Sequence, residues 1–158
     1  MFETSHIKDY KTLNQMLDAL LEGKDDIVSH LANASALLNE FLTDVNWVGF
    51  YTMKNNQLQL GPFQGKPACV TIPVGKGVCG TAVSEQKTMR IEDVHAFPGH
   101  IACDAASQSE IVVPIIINDS VFGVLDIDAP IKDRFTAEDQ EGLENFVSVL
   151  KNHLSKLV

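Results

Sequence analysis

The chain has 158 residues, 45% of them hydrophobic and 21% charged, the size and balance of one ordinary globular domain that needs no disulfide staple. Twelve Lys and Arg against 21 Asp and Glu give a formal net charge of -9, a surface that repels phosphate backbones and argues against nucleic acid as a partner. The most apolar run, residues 111–117, is far short of the roughly 20 residues of a membrane helix, and Met1-Phe2-Glu3-Thr4-Ser5-His6 lacks the basic and apolar regions of a secretory signal. A cytoplasmic protein is expected, where structural disulfides are rare.

Leu13, Met16, Leu17 and Leu20 recur at the spacing of a buried helical stripe, which Gly23 ends. A second helix is expected over 25–41, with Ile27, Leu31, Ala34, Leu38 and Phe41 on its apolar side and Asp25 and Asp26 at the N-terminus that the helix dipole favours. The period then changes. Residues 45–53 read as a strand, 54–57 as a turn and 58–63 as its hairpin partner. A strand at 70–74 is broken by Gly75-Lys76-Gly77, and a short helix at 78–85 and a short strand at 88–91 follow. Residues 92–109 form an irregular stretch with two histidines and a cysteine, a length that compact domains reserve for functional or mobile loops. Strands at 111–117 and 121–128 flank the turn Asn118-Asp119-Ser120. Thr136, with Asp139 three residues on, opens a last helix whose stripe is Leu143, Phe146, Val147, Leu150, Leu154 and Leu157. This order predicts an α+β domain: a mostly antiparallel sheet, terminal helices packed on one face, and the short helix plus the long loop covering a pocket on the other.

The three cysteines, Cys69, Cys79 and Cys103, form no C-x-x-C pair, so neither a thioredoxin-like motif nor a zinc knuckle is written in the chain. Zinc held by His95, His100 and Cys103 lacks the close ligand pairs of structural sites. Each cysteine read alone is a small buried hydrophobe. On electrostatics, Cys79 is the expected reactive thiol, because a helix N-terminus and Lys76 both favour its thiolate, whereas Asp104 disfavours that of Cys103. Trp47 and Tyr51 are four apart on one strand and face the same way; so do Asp126 and Asp128, two apart on another. Carboxylates in line with core positions are unusual, although Asp126 and Asp128 also suit the end of a strand before Ala129-Pro130, and Trp47 and Tyr51 suit plain core packing. Glu110 precedes the neighbouring strand. An aromatic pair with three carboxylates fits a cationic or zwitterionic small molecule, and crowded carboxylates leave one of them protonated, as a general acid needs to be.

These residues carry a resemblance. The segments Asn46-Trp47-Val48-Gly49-Phe50-Tyr51, Gly61-Pro62-Phe63-Gln64-Gly65 and Ile72-Pro73-Val74-Gly75-Lys76-Gly77-Val78-Cys79-Gly80 are similar to GAF-domain free methionine-(R)-sulfoxide reductases. So are Asp93-Val94-His95, Phe97-Pro98-Gly99-His100, Cys103-Asp104, Ser109-Glu110 and Gly123-Val124-Leu125-Asp126-Ile127-Asp128, and the similarity runs nearly end to end. The resemblance implies a single GAF domain over residues 1–158 that reduces free methionine (R)-S-oxide without a bound metal or cofactor. It makes Cys103 the catalytic cysteine, in place of Cys79, and Cys69 the resolving one, with Cys79 as a third family cysteine. It puts Trp47 and Tyr51 around the substrate methyl group and side chain, and Glu110, Asp126 and Asp128 on its polar atoms. It further implies a Cys103 sulfenic acid, a Cys69–Cys103 disulfide recycled by thioredoxin, a homodimer, and a lid formed by residues 92–109. Two other functions compete. A GAF module that only binds a ligand explains the fold and the pocket but not three matched cysteines. A thiol redox sensor predicts oxidation by peroxide with no sulfoxide turnover.

Overall fold

A computed structural model describes residue 4, residues 7–100 and residues 105–158. Helix α1 (Tyr10–Leu21) starts where the Asp9 carboxylate accepts from the Thr12 N–H, and α2 (Ile27–Phe41) where Asp26 accepts from Ser29. Each satisfies a donor that a helix leaves open in its first turn. Asp26 thus stands just outside α2 as its cap, and the helix begins two residues later than its acidic start suggested. Strand β1 (Trp47–Lys54) turns through Asn55 and Asn56, with φ of 54° and 63°, into β2 (Gln57–Gly65). Two left-handed residues give the tight turn whose twist matches a hairpin. Strand β3 (Thr71–Pro73) leads into α3 (Gly77–Glu85), and β4 (Met89–Ile91) into one turn of 3-10 helix at Val94–Ala96. A second left-handed pair, Asn118 and Asp119, joins β5 (Ser109–Ile117) to β6 (Ser120–Ala129). In α4 (Ala137–Leu154), the Thr136 hydroxyl accepts from the Asp139 N–H while the Asp139 carboxylate accepts from the Thr136 N–H, a complete capping box. Leu157 lies past the end of this helix and is half-buried.

The strands form one sheet in the order β3-β2-β1-β6-β5-β4, with every neighbouring pair antiparallel. Period-2 alternation then divides the chain between two cores. Val48 and Phe50 of β1, Leu125 and Ile127 of β6, and Ile111, Val113 and Ile115 of β5 pack with α1, α2 and α4 in the larger one. Trp47 and Tyr51, Val124, and Val112 point to the opposite face, where Val78, Cys79, Ala82 and Val83 of α3 cover them. The expected α+β architecture is the one observed, and the pocket face is the one that carries the aromatic pair and the carboxylates.

Candidate active site

The register of the three central strands assembles the site. Trp47 of β1, Asp128 of β6 and Glu110 of β5 lie on one rung; Gly49, Asp126 and Val112 form the next; Tyr51, Val124 and Pro114 the third. Glycine at the second rung is a steric requirement. A Cβ on Gly49 would stand 2.3 Å from the Phe63 Cβ and 2.8 Å from Trp47 Cη2. The indole lies over that gap, stacked on Phe63 (centroids 5.0 Å apart, planes 17° apart) and on Tyr51 (5.9 Å, 26°). Both aromatics use their polar ends to hold one segment: Trp47 Nε1–H donates to the Lys66 carbonyl at 3.1 Å and Tyr51 O–H to the Cys69 carbonyl at 2.9 Å. Burial and the nearby carboxylates push the Tyr51 phenol far up, so it stays a donor.

The walls form a partly open cavity of about 40 Å³, lined by Trp47, Tyr51, Cys79, Glu110, Asp126 and Asp128, together with His100, Ser107 and Lys76. That is space for only a few water molecules. Glu110 and Asp126 are each 6% exposed. Asp126 sits in mid-strand between Leu125 and Ile127, so it is not a strand-end cap. Burial raises the Glu110 pKa well above its usual value, and Asp126 and Asp128 raise it further; Glu110 keeps the proton and donates it toward Asp126. Burial also raises Asp126, opposed by the hydrogen bonds it accepts from Glu110 and Cys79. Asp126 Oδ1 is buried with no hydrogen-bond partner, an orphan that a folded protein tolerates where a ligand completes it.

Cys79 occupies the first turn of α3, and its Sγ lies 4.0 Å from Glu110 Oε2. The expectation of a thiolate here is overturned. Burial, and then Asp126, Glu110 and Asp128, raise the Cys79 thiol well above its ordinary value, and these outweigh a partial helix dipole and the exposed Lys76. Cys69 is half-buried and disulfide-bonded. Cys103, the cysteine that the resemblance makes catalytic, lies outside the described residues. His100 and Ser107, which the sequence reading left without a role, line the cavity, and the Ser107 hydroxyl accepts from Asn46 Nδ2 at 3.3 Å. Burial, then His95, keep the half-buried His100 imidazole neutral at physiological pH. His95, in edge contact with His100, is exposed. Phe63 was also missed as a site residue: the register of the Asn55–Asn56 turn alone would put Pro62 opposite Gly49, and a bulge between Gly49 and Tyr51 shifts the pairing by one residue to bring Phe63 there.

The GAF domain model matches residues 26–154. The free methionine-R-sulfoxide reductase of Escherichia coli is 56% identical over 146 residues, covering 92% of this chain and 88% of that protein. The structure of fRMsr of Staphylococcus aureus in complex with substrate superposes with a TM-score of 0.89 at 54% identity, covering 96% of this chain and 99% of the other. The free methionine-R-sulfoxide reductase of Neisseria meningitidis, in complex with its substrate, gives 0.92 at 35% identity, covering 99% and 97%. With that degree of likeness along nearly its whole length, the chain belongs to the GAF-domain free methionine-R-sulfoxide reductase family.

Proposed function

We propose that this oxidoreductase converts free L-methionine (R)-S-oxide to methionine by thiol chemistry. The observation that carries the reading is the convergence of a stacked aromatic pair and a buried carboxyl group, whose pKa burial raises, on one cavity. Trp47 and Tyr51 take the methyl group and side chain. Glu110 hydrogen-bonds the sulfoxide oxygen and lends it a proton, which makes the sulfur electrophilic; Asp126 and Asp128 hold the polar end of the substrate. Cys103 attacks the sulfur, methionine leaves, and the oxygen passes to Cys103 as a sulfenic acid. Cys69 then condenses with that sulfur, expelling water, and thioredoxin returns two electrons by thiol exchange. The disulfide at Cys69 supports its place in this step. A raised thiol pKa argues that Cys79 is not the resting nucleophile and acts as a protonated wall of the pocket. The carboxylates of the cavity favour a free amino acid, which brings an ammonium group to meet them, over a methionine oxide within a protein chain. In this reading residues 1–158 act as one unit, in the cytoplasm and as a homodimer.

The test is methionine release from separated R and S epimers with thioredoxin, thioredoxin reductase and NADPH, for wild type and Cys103→Ser. Turnover of the R epimer alone, abolished in the variant, is expected. Folded wild type that turns over neither epimer, yet forms a disulfide with peroxide, would replace the reductase with a redox sensor.

A further inference from the structure

Three groups that line the pocket have a second chemical competence. The donor atoms of Cys79, Glu110 and Asp126 all lie within 4.8 Å of one another, and all three residues are buried. Tetrahedral zinc, with bonds of about 2.3 Å to sulfur and about 2.0 Å to oxygen, holds such donors roughly 3.5 Å apart. The observed Cys79 Sγ to Glu110 Oε2 separation of 4.0 Å is therefore within a small side-chain adjustment of that spacing. Asp126 Oδ1 is an independent pointer, because it is buried without a partner on a residue that lines the cavity and is only 6% exposed. The space of about 40 Å³ is large enough for an ion and a water. That water supplies a fourth ligand. A sulfur among oxygen donors selects a borderline-soft cation over magnesium or calcium.

We infer that Cys79, Glu110 and Asp126 form a binding site for a divalent cation of the zinc class, which occupies the substrate cavity and shuts the sulfoxide out. The thiol and carboxyl protons leave to solvent as the cation enters. The site uses neither Cys69 nor Cys103, so it exists in the oxidised protein as well as the reduced one. Metal binding stands on this geometry alone, while competition with the sulfoxide rests on the function proposed above.

Cobalt(II), added to oxidised wild type and to the double variant Cys69→Ser, Cys103→Ser, whose one remaining thiol is Cys79, reads the site directly. A thiolate-to-cobalt charge-transfer band at one equivalent, removed by zinc and not by magnesium, is expected in both. Cys79→Ser should abolish the band and weaken zinc at least about 100-fold, Asp126→Asn should weaken it less, and His153→Ala, which removes a second cluster with Asp18 and Glu22 on the helical face, should change neither. Absence of the band from wild type, or equal zinc affinity in Cys79→Ser, overturns the site without touching the reductase assignment. With the reduced enzyme, zinc should raise KM for the sulfoxide at constant kcat, reversed by a chelator; a fall in kcat alone overturns the placement in the cavity.

Discussion

Asp126 illustrates how one carboxylate serves the site at the expense of the fold. Its Oδ1 lacks a partner, and its charge helps to keep the proton on Glu110 and on Cys79. Asp126→Asn keeps the shape and removes the charge. Melting should rise by roughly 2–4 °C at neutral pH, the scale of one relieved buried interaction in a domain of this size. Turnover of the R epimer should fall by about 100-fold or more, the scale of general acid–base assistance. A variant that loses stability would show that the carboxylate is structurally satisfied. The two aspartates were legible in the sequence, because period-2 carboxylates inside an apolar strand contradict ordinary burial. The state of Cys79 was not. Its local sequence offers Lys76 and a helix start, both favouring the thiolate, whereas Glu110, 31 residues away, and Asp126 act in the opposite sense. Sequence neighbours cannot weigh a field set by strands that meet only in the folded sheet.

Among the elements, β1 carries the most specific demand. Gly49 and Gly65 leave the slot that the Trp47 ring fills: a Cβ on Gly65, where φ is +142°, would meet Trp47 Cδ1 at 2.6 Å. Gly49→Ala drives a methyl group into Phe63 and the indole, and overpacking of this kind costs about 1–3 kcal/mol. Denaturant unfolding should show that loss, and KM for the sulfoxide should rise because the aromatic wall moves. Unchanged KM would mean that Trp47 does not contact substrate. The contrasting element is α4. Removing its cap with Thr136→Ala should cost about 1 kcal/mol and leave kcat/KM unchanged, since the capping box lies at the start of a helix that packs in the other core. These elements were readable because each has a local cause: two asparagines for a turn, Thr136 with Asp139 for a helix start, alternation for a strand. The rung that unites Trp47, Asp128 and Glu110 follows from the same alternation once β6 is known to lie between β1 and β5. That strand order has no local signal, because 65 residues of chain separate β1 from β6.

At the scale of the whole molecule, the sheet separates a stabilising core from a costly site, and pH distinguishes the two. The ordinary Glu110 value is 4.5, and burial beside Asp126 and Asp128 lifts it well above that. Between the two values the folded state binds a proton that the unfolded chain has released. This group therefore leaves the fold most stable below pH 4.5 and less stable as pH climbs to the raised value, above which the loss is complete and constant. The capping carboxylates of Asp9, Asp26 and Asp139, lowered by their hydrogen bonds, act the other way: their contribution is present above 3.8 and disappears as pH falls through the lowered values. His30, in the helical core, is lowered by burial and then by His153, so its contribution to the fold is complete above 6.5 and is lost as pH falls from there through the lowered value. Wild type sums these opposed slopes, and its raw curve isolates none of them. The difference between wild type and Glu110→Gln cancels the groups remote from the pocket and leaves Glu110 with its interacting neighbours Asp126 and Cys79. Urea unfolding from pH 4 to 9 should show the variant gaining on wild type as pH rises from 4.5, then holding a constant advantage. A difference that stays flat across that range would mean that Glu110 ionises normally in the fold, and it would remove the proton that the proposed reduction takes from it.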